Sequence, residues 1–174
     1  MLVEQFLENS ASLYADKIAL ICGEDRYTYH QIEEQANRLA HAFIAAGVQR
    51  GDRIVISLPN SVESVLAIFA ALKAGAVFVV LNPTTKTDKL VYILNNCRAS
   101  TLVVAGGRRA LASPGWARMP HLNSVFAVGA TPALASELQS ANKAMVSLEY
   151  ARNHGGSALP PAKKCIDKIG RAHV

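Results

Sequence analysis

Two glycine-containing segments are the parts of this sequence best suited to bind an anion. Gly106-Gly107-Arg108-Arg109 follows an apolar run, and glycine backbone N–H groups can surround an anion while arginines supply charge. Nothing nearby supplies a metal ligand or a base, so we predict a solvated loop. Residues 155–164 combine Gly, Ser, Pro and Lys, but Leu159 and Pro160-Pro161 would keep the backbone away from phosphate oxygens. We predict a mobile linker over residues 153–164.

The common motifs of catalysis and nucleotide binding are absent from the sequence. It contains no G-x-G-x-x-G, no G-x-x-x-x-G-K-[ST] and no G-x-S-x-G pattern. The histidines are scattered, and none stands four residues from another histidine or a cysteine: His30, His41, His121, His154 and His173. We therefore predict no catalytic, no cofactor-binding and no metal-ligating residue in this chain.

Length and composition describe one globular domain. The chain has 174 residues, of which 51% are hydrophobic and 18% charged, so disorder is not expected for most of it. The formal net charge is +5, but four of the 18 basic residues lie in the last twelve positions. No basic stripe carries interleaved aromatic residues, so we predict no nucleic-acid partner.

Cysteine usage and the amino-terminal residues bear on the compartment. Cys22, Cys97 and Cys165 are far apart, and the first two lie among apolar neighbours as small core residues would. This pattern favours a reducing compartment, and no basic region precedes an apolar run as in a secretory signal. We predict a cytoplasmic protein without a transmembrane segment, because Gly75 divides the apolar residues 65–81 into a helix and a strand.

The segment from Arg50 to Pro83 has the pattern of a buried strand–helix–strand unit. Arg50-Gly51-Asp52 matches a cell-adhesion tripeptide, but its position before an apolar run predicts a plain turn. Residues 54–58 are apolar nearly throughout, as expected for a strand covered on both faces, and residues 77–81 read as a second apolar strand. Asn60 is expected to cap the helix between them, which is apolar almost all round and therefore deeply buried.

Similar patterns flank this unit and define the fold class. We predict an amino-terminal helix whose apolar face is Leu2, Phe6, Leu7 and Leu13, then a hairpin over residues 18–29. A helix follows, with Thr28 and Gln31 at capping-box spacing. Further elements are a helix beginning near Thr85, a strand at 101–104, a strand at 124–128 and a helix at 132–141. This order predicts an α/β fold, a partial doubly wound and mainly parallel sheet with flanking helices.

Several short segments together resemble the amino-terminal part of the AMP-forming acyl-CoA synthetases and their adenylate-forming relatives. The resemblance covers residues 1–104 well and continues loosely to about Asp167. Each segment alone is weak, whereas their order and spacing over about 80 residues are specific. The segments are Tyr27-Thr28-Tyr29-His30-Gln31-Ile32, Ala36-Asn37-Arg38-Leu39-Ala40, Gly51-Asp52-Arg53-Ile54, Leu72-Lys73-Ala74-Gly75-Ala76 through Asn82-Pro83, and Lys89-Leu90-Val91-Tyr92-Ile93-Leu94.

The resemblance implies an ATP-dependent ligase. Members of this family activate a carboxylic acid with ATP and Mg²⁺ to an acyl-adenylate and usually pass the acyl group to CoA. It implies a hydrophobic carboxylic acid, such as a fatty acid, as the substrate. The family's phosphate loop, expected about a dozen residues after a pair like Ile166-Asp167, and its later motifs are absent from this sequence. No family site residue can therefore be carried onto a numbered position here.

The last six residues bear on where the natural sequence of this domain ends. Ile169-Gly170-Arg171-Ala172-His173-Val174 matches one reading frame of a common sequencing adapter, so we predict a truncated AMP-binding domain over residues 1–168 and a non-native tail over 169–174. The expected fragment is inactive by itself. Two other interpretations stay open: a non-catalytic or split subunit that needs a separate partner chain, and a free-standing flavodoxin-like binding domain.

Overall fold

A computed structural model describes residues 2–107 and 115–160, which form a parallel sheet with helices on both faces. The helices are α1 (Val3–Leu13), α2 (Tyr29–Ala45), α3 (Val62–Lys73), α4 (Thr87–Asn96), α5 (Pro132–Ser140) and α6 (Leu148–His154), with a 3₁₀ turn at Trp116–Arg118. The strands are β1 (Ile18–Cys22), β2 (Asp25–Thr28), β3 (Arg53–Ser57), β4 (Val77–Val80), β5 (Thr101–Ala105), β6 (Ser124–Val128) and β7 (Ala144–Ser147).

The main sheet confirms the predicted fold class. Its strands are all parallel and lie in the order β4-β3-β5-β6-β7, while β1 and β2 form the predicted antiparallel hairpin. The chain passes from β3 outward to β4 and then crosses back over β3 to β5. This reversal makes the sheet doubly wound and places its switch point between β3 and β5.

One face of the sheet is covered by α2, α3 and α6. The core on this face centres on side chains of those helices that are fully buried, such as Leu39, Phe43 and Leu66. The predicted capping box begins α2: the Gln31 N–H donates to the Thr28 hydroxyl at 3.2 Å, and the Thr28 N–H donates to the Gln31 side chain at 2.9 Å. The predicted cap of α3 is wrong by one residue, because Ser61 rather than Asn60 accepts from the Ser64 N–H.

The opposite face carries a smaller core beneath α4 and α5. Leu90, Leu94 and Leu138 pack there with Trp116 and with Val55 of β3. Because β3 contributes to both cores, its apolar sequence is explained by burial on both faces.

The amino-terminal helix corrects one prediction. Leu7 and Ala11 are its buried residues, whereas Phe6 and Leu13 of the predicted apolar face are 59% and 72% exposed. The helix contacts α2 and α3 along one narrow stripe, so only one side of its wide apolar face is covered.

The carboxyl-terminal third contains more regular structure than the sequence predicts. The predicted strand at 124–128 and the helix beginning at Pro132 are confirmed, but β7 and α6 are not anticipated. Their sequences are short and mixed, and β7 is recognisable only from its pairing with β6. Within residues 2–107 and 115–160, no helix is long and apolar enough to cross a membrane.

Candidate functional site

The carboxyl edge of the parallel sheet is the place where a doubly wound fold can bind a ligand. At the switch point, β3 leads into α3 on one face, and β5 leads towards the 3₁₀ turn on the other. The strands that border this crevice are β3, which ends at Ser57, and β5, which ends at Ala105; Ser57 pairs with Val104 in the sheet. Ser57 is 1% exposed, so the end of β3 is buried.

Gly106 follows β5 and links the carboxyl end of that strand to the end of β6. Its N–H donates to the carbonyl of Val128 at 2.6 Å, and a Cβ at this position would collide with the carbonyl of Gly129. The first N–H of the possible anion cradle at residues 106–109 is therefore committed to the sheet. Gly107 has open space around it, and Arg108 and Arg109 lie outside the described residues.

Glu149 links α6 to the carboxyl end of β6 at the same edge of the sheet. Its carboxylate accepts from the Gly129 N–H at 2.6 Å and from the Ser147 hydroxyl at 2.8 Å. Burial alone would raise the pKa of Glu149, but these hydrogen bonds and the charge of Arg152 together hold the pKa below its usual range. Glu149 is thus ionised near neutral pH and acts as an acceptor that ties α6 to the end of β6, which does not suit a general acid.

An ion pair joins α6 to α3. The Arg152 guanidinium donates to Glu63 at 3.0 Å, with about a fifth of each side chain exposed. Glu63 lies in the first turn of α3, where a carboxylate also faces the positive end of the helix dipole. This pair fixes the helix that borders the crevice and balances the Arg152 charge.

The Arg-Gly-Asp turn and the cysteines form no metal-binding group among the described residues. The Arg50-Gly51-Asp52 turn is confirmed: Gly51 has a φ of +80°, and the Asp52 carboxylate accepts from the Gln49 N–H at 2.9 Å. Cys22 and Cys97 are free and half-buried, so they are less deeply placed than predicted. In the part of the chain that the structure describes, no three His, Cys, Asp or Glu side chains could hold a metal ion. Cys165 and His173 lie outside that part.

The prediction of a mobile linker over residues 153–164 is wrong for the residues that the structure describes. Asn153 and His154 belong to α6, and the carbonyls of Ser157 and Ala158 accept from the Asn37 amide at 3.1 Å and contact the His41 ring at 3.0 Å. Gly155 approaches α2 so closely that a Cβ would lie 2.6 Å from the carbonyl oxygen of Arg38. Residues 155–160, which we call the strap, are therefore held against α2, and residues 161–164 of the predicted linker lie outside the described residues.

Comparisons with known proteins agree on one family. The model of the family described as AMP-binding enzyme matches residues 7–164. A medium/long-chain-fatty-acid–CoA/3-oxocholest-4-en-26-oate–CoA ligase of Mycobacterium marinum is 37% identical over 101 residues, which are 58% of this chain and 18% of that protein. A 2,3-dihydroxybenzoate-AMP ligase of Bacillus subtilis is 30% identical over 128 residues, 71% of this chain and 24% of that protein.

A solved structure shows the same arrangement of elements. The crystal structure of an anthranilate CoA ligase in complex with anthranoyl-AMP matches with a TM-score of 0.80 and 25% identity, over 93% of this chain and 30% of that chain. The chain thus spans between about a fifth and a third of the length of these relatives.

Proposed function

The chain belongs to the AMP-binding enzyme family, and from this premise we propose that it is the amino-terminal part of an ATP-dependent, AMP-forming acyl-CoA synthetase. The observation that supports this most directly is the match of the family model to residues 7–164. The similarity to a CoA ligase of Mycobacterium marinum favours thioester formation with CoA as the second step. The intact enzyme would convert a carboxylic acid to its acyl-adenylate with release of pyrophosphate.

The residues described here act as scaffold in this proposal. ATP, Mg²⁺ and CoA are the cofactors of the intact enzyme, but the described residues do not fit a triphosphate or a metal ion. The Gly106 N–H is used within the sheet, the Glu149 carboxylate is occupied by Gly129 and Ser147, and no group of metal ligands is found among the described residues. We therefore assign no catalytic, cofactor-binding or metal-ligating role to a numbered residue.

The substrate class is a hydrophobic carboxylic acid, with a fatty acid as our first choice. The matched relatives are named for different acids, a medium or long-chain fatty acid in one case and 2,3-dihydroxybenzoate in another. The fatty-acid relative is the more similar of these two over its matched region, at 37% against 30% identity. The free thiols of Cys22 and Cys97 suit a reducing cytoplasm, where we place the protein.

The chain by itself is expected to be inactive. The phosphate loop and later motifs implied by the family resemblance are missing from its sequence, so nothing would stabilise the charge that develops on the transferred group. The assay is ATP–pyrophosphate exchange by the purified chain with decanoate, 2,3-dihydroxybenzoate and anthranilate. We expect no exchange above the no-enzyme rate, with the Bacillus subtilis ligase as the positive control. Exchange by the chain itself with any of these acids would overturn this part of the proposal.

The DNA downstream of codon 168 tests the proposed identity. We expect genomic amplification to show an open frame that continues into the phosphate loop, with residues 169–174 replaced by other residues; these six residues lie outside the described part of the chain. A genomic sequence that encodes the same six residues and then a stop codon would contradict both the truncation and the tail.

A split subunit is the second candidate, and one observation favours it. Strand β4 is an outer strand of the sheet, yet Val77, Phe78 and Val80 are exposed apolar residues that another polypeptide could cover. An adjacent gene that begins with the missing phosphate loop would support this candidate over a truncated frame. A free-standing flavodoxin-like domain has no comparable support, because the family model that matches residues 7–164 is that of the AMP-binding enzymes.

A further inference from the structure

A polar cluster lies buried between α1, α2 and α3, at the opposite end of α3 from Glu63. The Lys73 ammonium donates to Glu33 Oε1 at 2.8 Å and to Glu8 Oε1 at 2.9 Å, and its side chain is 1% exposed. Asn37 joins the cluster by donating to Glu33 Oε1 at 3.1 Å. These four residues, which we call the polar hub, connect three helices and, through the bond from Asn37 to the Ser157 carbonyl, the strap.

The donors and acceptors of the hub do not balance. The Asn37 amide uses its N–H groups on Glu33 and Ser157, and Lys73 uses two of its three N–H groups. Two oxygens are buried and accept no hydrogen bond from the described residues: Glu33 Oε2 and Asn37 Oδ1. Asn37 as a whole is 4% exposed, so solvent does not reach its carbonyl. The hub therefore has two spare acceptors and one spare donor.

The assignment of the Asn37 amide is fixed by its neighbours. If the amide were turned over, its oxygen would face both Glu33 Oε1 and the Ser157 carbonyl, and three acceptors would meet without a hydrogen between them. The spare acceptor is thus a property of the site, and rotation of the side chain does not remove it. Buried oxygens in proteins are almost always hydrogen-bonded to protein or ordered water, so a further donor is required here.

We propose that the polar hub binds one buried water molecule, which donates to Glu33 Oε2 and Asn37 Oδ1 and accepts from the third N–H of Lys73. Three hydrogen bonds are the usual number for a buried structural water. The hub contains two carboxylates and one ammonium group, so a neutral donor leaves the Lys73 charge paired. A metal cation fits less well, because the Lys73 ammonium would repel it and no set of three His, Cys, Asp or Glu side chains among the described residues could hold a metal ion.

The bound water gives the strap a connection to the helix core. Asn37 holds the strap through Ser157 and holds the water through its other amide atom, so displacement of the water would loosen the amide that fixes the strap.

The test counts long-lived water molecules by magnetic relaxation dispersion in the purified chain and in two variants. Asn37→Leu keeps the side-chain size but removes the water's acceptor, so we expect the count to fall by one. His41→Leu is the matched control, because it removes the neighbouring contact to the strap at Ala158 without touching the hub, and we expect an unchanged count. Equal counts in the wild type and Asn37→Leu would overturn the proposal.

A crystal structure of the wild-type chain provides a second measurement if Asn37→Leu fails to fold. We expect one density peak within about 2.5–3.0 Å of both Glu33 Oε2 and Asn37 Oδ1. A side chain from residues 161–174 at this position, or a Glu33 side chain turned to solvent, would overturn the proposal. Replacement of sodium by choline at constant ionic strength should leave the melting temperature unchanged, and a drop would assign the site to a cation and reject the water.

Discussion

The two edges of the parallel sheet differ in how the chain covers them. Strands β4 and β7 are both four residues long, and each ends the sheet on one side. At the β7 edge, α5 and α6 pack against the strand, and Glu149 and Arg152 tie α6 to its neighbours. At the β4 edge, the strand is entirely apolar, yet three of its four residues are exposed.

This difference shows that β4 carries more apolar surface than the described residues bury. A continuous apolar run is typical of a parallel strand covered on both faces, as β3 is. The Val77 N–H donates to the carbonyl of Asp52, just before β3, and the Leu81 N–H donates to Ile56 of β3. The N–H groups of the alternate residues Phe78 and Val80 therefore point away from β3. The β4 edge is consequently open for pairing, which agrees with a chain that spans a minor part of its relatives' length.

The largest expected effect compares β4 with its inner neighbour. Ile56 and Val80 are register partners, but Ile56 is fully buried and Val80 is 51% exposed. We expect Ile56→Ala to lower the free energy of unfolding by about 2–5 kcal/mol, because it removes buried methyl groups and leaves a cavity. Val80→Ala should cost less than about 1 kcal/mol. Urea denaturation measures both, and equal losses would mean that β4 is as well covered as β3.

The next effect tests the packing of α6, the helix that covers the β7 edge, against α2. Gly155→Ala would place a Cβ 2.6 Å from the Arg38 carbonyl oxygen, so α6 and the strap must shift away from α2. We expect a loss of about 1–3 kcal/mol, as for other overpacked sites. The matched control is Gly156→Ala, whose Cβ would only touch the His41 side chain at 3.4 Å and should cost less than about 0.5 kcal/mol. Thermal unfolding measures both losses. A Gly155→Ala variant as stable as the wild type would show that Gly155 does not contact α2 tightly.

A smaller effect at the same edge depends on pH. The hydrogen bonds to Glu149 lower its pKa in the folded chain, so its ionised form stabilises the fold above the unfolded value of roughly 4.3. This contribution is lost as the pH falls through the lower folded pKa. We expect Glu149→Gln to cost about 1 kcal/mol at pH 7 and progressively less below about pH 4.

The control for this pH dependence is Glu24→Gln in the exposed turn of the hairpin, which should follow the wild type at every pH. Denaturant midpoints measured between pH 3 and pH 7 give both curves. A Glu149→Gln loss that is constant over this range would show that the carboxylate charge is not what ties α6 to β6.

The smallest effect on stability concerns the open edge. Val80→Lys adds a charge to an exposed strand, so we expect the free energy of unfolding to change by less than about 0.5 kcal/mol. The same charge should hinder edge-to-edge pairing and raise the concentration at which the chain self-associates in sedimentation velocity. Leu13→Lys, on the exposed face of α1, is the control and should leave self-association unchanged. Equal self-association in both variants would show that β4 is not the pairing edge.

Much of the fold could be predicted because its signals are local. The Thr28–Gln31 capping box, the turn at Gly51 and the strand–helix–strand unit from β3 to β4 depend on residues a few positions apart. The weak or wrong predictions concern distant contacts. Strand β7 exists through pairing with β6, and the strap is held by α2 residues that precede it by about 120 positions in the chain.

The sequence provided less information about the sheet edge than about the fold. It contains no familiar motif of histidine or cysteine chemistry, and among the described residues no three His, Cys, Asp or Glu side chains could hold a metal ion. That no residue of the chain has a catalytic or binding role stays a prediction. The roles of Gly106 and Glu149 at the sheet edge had no sequence signal, because a glycine after a strand and a glutamate in a short helix are common. The polar hub was equally hidden, since Glu8, Glu33 and Lys73 each look like solvated helix residues when the sequence is considered alone.

From the sequence alone, the resemblance of several ordered segments indicated the family, while apolar periodicity and short connections predicted the succession of strands and helices and the parallel sheet. Which apolar residues are covered, which charges meet and where the strap lies became known from the folded structure. Burial and charge pairing depend on surfaces brought together from distant parts of the chain. Two similar apolar strands, β3 and β4, therefore have opposite exposure, and a lysine in a helix becomes the centre of a buried hub.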